Sequence, residues 1–152
     1  MTLNPRTRHE LYDPEWVIEG LIARSQRPGY PVDKPSDEKI RNWAENVTAL
    51  GIKSVLCILD NLQIAHYRAI KVDGDGLFGF YRSLGLEVAH VEADDHKKPP
   101  LNQKELEAVW EAYERLEKPV LVHCSAGRDR TGAALELILS KLGQNDVDSG
   151  QK

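Results

Sequence analysis

In VLVHCSAGRDRTGAAL (Val120–Leu135), a cysteine and an arginine stand six residues apart, between an apolar run and a second run that suits a helix. Cys124 can serve as a nucleophile. Arg130 carries a planar fork that matches two oxygens of a phosphoryl group. Ser125, Ala126 and Gly127 are small, so the backbone between them can curl around a ligand and present successive N–H groups. A loop of this kind leading into a helix start adds N–H groups that have no partner inside the helix. Together they make an anion cradle, and the same donors favour a Cys124 thiolate. Nucleophile, cradle and cationic fork fit one reaction, in-line attack on a tetrahedral phosphate ester. A Walker A loop is excluded, because the required Gly-Lys-Ser/Thr ending is missing.

This chemistry needs a strand before the loop and a helix after it. PVLVH (Pro119–His123) reads as a central strand, and RTGAALELILSKLG (Arg130–Gly143) as a helix with Leu135, Ile138, Leu139 and Leu142 inward. Upstream, WVIEGLIARS (Trp16–Ser25) predicts one or two short edge strands, followed by the Pro/Gly-rich connector RPGYPVDKPS. Ser36 fits an N-cap with Asp37 and Glu38 in the first turn, and Ile40, Trp43, Val47 and Leu50 form an apolar stripe ended by Gly51. IKSVLCIL (Ile52–Leu59) is nearly continuous and apolar, as expected of a strand buried on both faces. A short helix is expected over Ala65–Ile70, a turn at VDGDG, a helix over Leu77–Leu84 ending at Gly85, and a strand in LEVAHVEA. Asn102 and Glu105 form a capping-box pair, heading a helix whose stripe is Leu106, Val109, Trp110, Tyr113 and Leu116. The aromatic residues in these stripes read as core rather than as a cofactor site. Strand and helix alternate, which implies a single α/β domain with a central, mostly parallel sheet flanked by helices.

With 152 residues, the chain is long enough for one sizeable core. Its net charge of −4 argues against nucleic acid or a membrane surface as partner, so any anion site must be built locally. The N-terminus has no apolar segment of the secretory type, and no apolar run is long enough to cross a bilayer. Two cysteines, Cys57 and Cys124, are too few for a disulfide scaffold and lack zinc spacing, which points to a reducing, cytoplasmic setting. VDGDG lacks the other ligand positions of a calcium loop. No cofactor and no metal are expected.

HCSAGRDRTG resembles the His-Cys-x5-Arg-Thr/Ser signature of the cysteine-dependent protein tyrosine phosphatase superfamily. The absence of a Trp-Pro-Asp loop places the resemblance with the compact dual-specificity group, and GLIARSQRP is similar to the opening strand region of those enzymes. The resemblance implies a phosphatase domain over residues 1–143, with residues 144–152 a disordered tail. Because family members continue with further helices at that point, it also implies a domain that is minimal or covered by a partner.

By that resemblance Cys124 attacks phosphorus to give a phosphocysteine, and Arg130 holds the equatorial oxygens. The amides of Ser125, Ala126, Gly127, Arg128, Asp129 and Arg130 bind the rest of the phosphoryl group. Thr131 hydrogen-bonds the sulfur, while His123 orders the loop and favours the thiolate. The general acid comes from a loop after an earlier strand, here VEADDHKKPP (Val91–Pro100); Asp95 is favoured over Asp94, with His96, Lys97 and Lys98 as a basic rim or as solvated charges. Arg128 can add charge to the pocket or point to solvent. Phosphotyrosine protein is the leading substrate, then phosphoserine/threonine, with phosphoinositide or another small phosphate ester as the alternative. A thiol-dependent reductase of the arsenate type is a rival that would need further cysteines, and a reversible Cys57–Cys124 disulfide is a possible regulatory state.

Overall fold

The two faces of the sheet explain why its strands read as continuous apolar runs. In a computed structural model, which describes residues 12–68 and 76–150, five strands form one sheet. They are β1 (Glu15–Ile18), β2 (Ile22–Ser25), β3 (Ser54–Cys57), β4 (Glu87–His90) and β5 (Val120–His123), in the order β1-β2-β5-β3-β4. β1 pairs antiparallel with β2, and the remaining pairs are parallel.

The helices are α1 (Asp37–Ala49), α2 (Asn61–Ala65), α3 (Gly76–Ser83), α4 (Gln103–Arg115) and α5 (Asp129–Gly150). Val120 and Val122 of β5 join Leu56, Val109, Tyr113, Leu135 and Ile138 in a core shared with α4 and α5. Leu121 faces the opposite way, with Val55, Cys57, Trp43, Phe80 and Tyr81 in a core shared with α1 and α3. A sheet covered on both faces cannot alternate apolar with polar.

The local signals behave as their chemistry dictates. Ser36 Oγ accepts from Lys39 N, and Asn102 and Glu105 complete a reciprocal capping box. Gly51 takes φ +79°, the left-handed turn that ends α1.

Three expectations change. β2 is an interior strand rather than an edge, because β5 returns to lie between it and β3. The short helix expected at Ala65–Ile70 starts earlier, at Asn61, since Asp60 and Gln63 supply a capping box that fixes its N-terminus. The last helix passes Gly143 and runs to Gly150; its buried residues include Ala134, Leu135 and Ile138, while Leu139 is only half-buried. The turn at VDGDG lies, but for Gly76, outside the described residues.

The four parallel strands end level. Ser25, Cys57 and His90 align with His123 directly or through a shared neighbour, so the segments that follow them emerge along one edge. In open α/β sheets, ligand sites collect at this carboxyl edge, where the strand order reverses. Here that point is β5, and the residue after it is Cys124.

Candidate active site

Cys124 follows β5 directly, and the loop from it enters α5 at Asp129. Gly127 sits at φ +75°, and a Cβ there would lie 2.4 Å from the Ser25 carbonyl oxygen. The loop therefore packs backbone to backbone on the end of β2, and only glycine fits.

Two arginines hold it there. Arg24 Nη2 donates to the Gly127 carbonyl at 2.6 Å, and Arg27 Nε donates to Ser125 Oγ at 3.1 Å, beside a backbone bond from Arg27 N to Ser125 O. The other end of Arg27 ties down the neighbouring wall through Val32 O and Tyr67 OH, and Tyr67 in turn donates to Pro28 O. Both arginines are buried, so these bonds offset a desolvation cost of several kcal/mol per charge.

Arg130 lies in the first turn of α5 and is 1% exposed. Its Nη1 donates to the Ala93 carbonyl at 2.8 Å and to Gln63 Oε1 at 3.0 Å. Nη2 lies 3.0 Å from Asp95 Oδ2 as an ion pair, without the alignment of a hydrogen bond. Nε and Nη2, the two-toothed edge of the fork, have no hydrogen-bond acceptor among the described residues. The hydroxyl of Thr131, fully buried one residue on, also has none. Buried donors without acceptors are rare and costly, about 1–3 kcal/mol each, and here they mark where an oxyanion belongs.

Asp95 enters from the loop after β4. Oδ1 accepts from His96 N at 3.0 Å and Oδ2 accepts from Gln63 Nε2 at 3.1 Å. A cleft of about 540 Å³ is lined by Cys124, Ser125, Ala126, Arg128, Asp129, Asp95, His96, Gln63, Arg27 and the Tyr30–Pro31 wall. Asp94 is exposed and does not line it. His96 lines the rim in a left-handed conformation, φ 61°. Lys97 does not contribute a free rim charge, because it pairs with Glu105. Arg128 is half-buried against the cleft rather than pointing away from it.

His123 is buried between the loop and α3. Nδ1 lies 2.9 Å from the Cys124 carbonyl, which can only accept, so Nδ1 carries the proton. Nε2 then accepts from Tyr81 OH at 2.7 Å. Burial pushes the ring down to about 4, against the raising effect of the bond to the Cys124 carbonyl and with Arg130 and Arg27 adding to the fall. The ring is neutral at pH 7. It orders the loop through hydrogen bonds and carries no positive charge of its own.

A pH dependence follows. The unfolded chain binds a proton near pH 6.5 that the folded ring refuses until about 4. The stability contributed is present above pH 6.5 and is lost as pH falls toward 4, on the order of 3 kcal/mol at full extent. Urea unfolding at pH 7.0 and pH 4.5 should show the wild type losing about 2 kcal/mol more than His123→Asn. Equal losses would contradict the neutral, hydrogen-bonded ring.

Cys57, the register partner of His123 on β3, is fully buried, and burial pushes its thiol up. Both cysteines are free. Cys57 belongs to the core under α1 and α3 and Cys124 to the core under α4 and α5, and the charge of Cys124 is among the influences that raise Cys57. Among the described residues, no three His, Cys, Asp or Glu gather as metal ligands, and no helix is long and apolar enough to cross a membrane.

Residues 82–148, which contain Asp95, Cys124 and Arg130, match a protein family profile. That family is the tyrosine phosphatases. The phosphatase resemblance of HCSAGRDRTG thus extends from the end of α3 into α5. No curated protein matches the sequence.

Among solved structures, the chain is similar to a mutant form of Tk-PTP, with 18% identity, a TM-score of 0.55 and coverage of 86% of this chain and 73% of that one. It is similar to kinase-associated phosphatase carrying serine for its catalytic-site cysteine, at 18% identity and TM-score 0.54, covering 78% of this chain and 65% of that one. It is also similar to the core catalytic domain of the S. cerevisiae PP-IP phosphatase SIW14 in complex with citrate, at 18% identity and TM-score 0.54, covering 89% and 68%. The fold is that of the dual-specificity phosphatases.

Sequence reasoning singled out Cys124, Arg130, Thr131, His123 and Asp95, and these converge on or beside one cleft. It passed over Arg24, Arg27, Gln63 and Tyr81. Two arginines in and just after an apolar strand, and the Asp60–Gln63 capping pair, are signals that were open to it.

Proposed function

We propose that this chain is a cysteine-dependent phosphatase that hydrolyses phosphotyrosine, and also phosphoserine or phosphothreonine, monoesters through a phosphocysteine intermediate. The observation that carries the reading is the Nε–Nη2 edge of a buried Arg130, which lacks a hydrogen-bond acceptor and is ion-paired at Nη2 with an Asp95 that shares its cleft with Cys124. The phosphoryl group would sit on that edge and on the amides of residues 125–130. Cys124 Sγ attacks phosphorus, the bond to the ester oxygen breaks, and Asp95 gives that oxygen its proton. Water then attacks the phosphocysteine, Asp95 takes the proton, and the Thr131 hydroxyl donates to the departing sulfur. A reducing, cytoplasmic setting suits two free thiols. No cofactor takes part in this scheme.

Arg128 on the cleft wall supports a second substrate class, phosphoinositides or other small phosphate-rich esters. A turnover panel of phosphotyrosine peptide, phosphoserine peptide and phosphoinositide separates the classes. The proton donor has its own test. Asp95→Asn should lower kcat for phosphotyrosine by about 10²–10⁴-fold, much less for an activated aryl phosphate, and remove the basic limb of the pH–rate curve. If Asp94→Asn does this instead, Asp94 is the acid. Turnover that consumes thiol stoichiometrically would favour the reductase chemistry.

A further inference from the structure

We infer that Gln63 is a positioning residue that sets both the phosphate fork of Arg130 and the proton donor Asp95 through one side-chain amide; this rests on the phosphatase reading above. Its Oε1 accepts from Arg130 Nη1 at 3.0 Å, and its Nε2 donates to Asp95 Oδ2 at 3.1 Å. A neutral amide is suited to this place because it can accept from a cation with one end and donate to an anion with the other. The reverse orientation would set NH₂ against guanidinium and carbonyl against carboxylate, so the partners fix the amide.

The aim of the side chain is fixed locally. Gln63 is the third residue of α2, where Oε1 also accepts from Asp60 N at 3.3 Å while Asp60 Oδ1 takes Gln63 N at 2.8 Å. Helix capping thus points the amide at the phosphate site, and its length is set by that cap.

The consequence for Arg130 is geometric. With both Nη1 protons bound, to Gln63 and to the Ala93 carbonyl, rotation about the guanidinium is blocked, and the Nε–Nη2 edge, ion-paired at Nη2 with Asp95 but without a hydrogen-bond acceptor, is the one turned to substrate oxygens. In the same arrangement Gln63 keeps Asp95 at the mouth of the cleft. Asp95 is also faced by Arg130 and His96 and, across the cleft, by Cys124, Arg128, Asp129 and Arg27.

Two variants test this against a purely structural role. Gln63→Ala should raise KM and lower kcat for phosphotyrosine, for a combined loss of roughly 10–100-fold in kcat/KM. Gln63→Glu still completes the capping box and still accepts from Arg130, so α2 should persist, while the added charge beside Arg130 should raise KM for the anionic substrate. It meets Asp95 with a carboxylate in place of a donor, which keeps the acid protonated to higher pH and moves the basic limb of kcat up by about a unit. Wild-type kinetics and an unmoved limb in Gln63→Glu, or a folded Gln63→Ala with wild-type KM and kcat, would overturn the inference alone. A wild-type chain without Cys124-dependent turnover would overturn the phosphatase reading and this inference with it.

Discussion

Replacing Cys124 with serine is expected to abolish phosphomonoester turnover, by about 10⁴-fold or more in kcat, while the protein still binds phosphate or vanadate. A serine hydroxyl needs a general base to become a nucleophile, and in the first step Asp95 must be protonated to serve as the acid. His123, the nearest imidazole in sequence, donates to the Cys124 carbonyl through Nδ1 and accepts from Tyr81 through Nε2, so neither nitrogen is available. A thiol ionises far more readily than a hydroxyl and is the stronger nucleophile, so it needs no such base. The check is kcat for an activated aryl phosphate together with a thermal shift in phosphate. Residual turnover above one hundredth of wild type would place the nucleophile elsewhere.

Arg130→Lys is expected to cost nearly as much, about 10²–10³-fold in kcat/KM, although the charge is kept. Arg130 does three things at once: it bonds the Ala93 carbonyl, bonds Gln63 and leaves a two-toothed edge for substrate oxygens. An ammonium is a single point and cannot reach all three positions from the first turn of α5. Inhibition by vanadate should weaken in parallel, while the melting temperature falls only moderately, since Asp95 still has a cation beside it. A loss below tenfold would mean that charge alone, and not the fork, binds the phosphoryl group.

The parts of the site that sequence reasoning found are those whose chemistry is local. Cys124, the small residues after it, Arg130 and Thr131 lie within eight consecutive positions, so strand, loop and helix start could be inferred together. Asp95 was reachable because it follows a recognisable strand, and the choice against Asp94 now rests on which carboxylate faces the cleft. Arg24 and Gln63 were not reachable in that way. Arg24 meets Gly127 103 positions later and Gln63 meets Arg130 67 positions later, contacts created when β5 inserts between β2 and β3. Nothing in a single sequence orders those strands. The misplacement of β2 as an edge and the missed bracing role of Arg24 are one error, because a buried arginine makes sense only once its strand has neighbours on both sides.

The helix errors have a different origin. The apolar pattern around Ala65 is too short to show a period, and the capping pair Asp60–Gln63 was the better guide. The electrostatic role expected of His123 came from its residue type. Its burial beneath Tyr81 and Trp43, and hence its neutrality, is a property of the packed core.

The most direct test of the account is a rapid acid quench of the Asp95→Asn enzyme during turnover of an activated aryl phosphate, followed by peptide mapping of the trapped protein. A stoichiometric burst of phosphate bound covalently to the peptide containing Cys124 is expected, and none in Cys124→Ser. Turnover without phosphate on Cys124, or with phosphate on another residue, would contradict it.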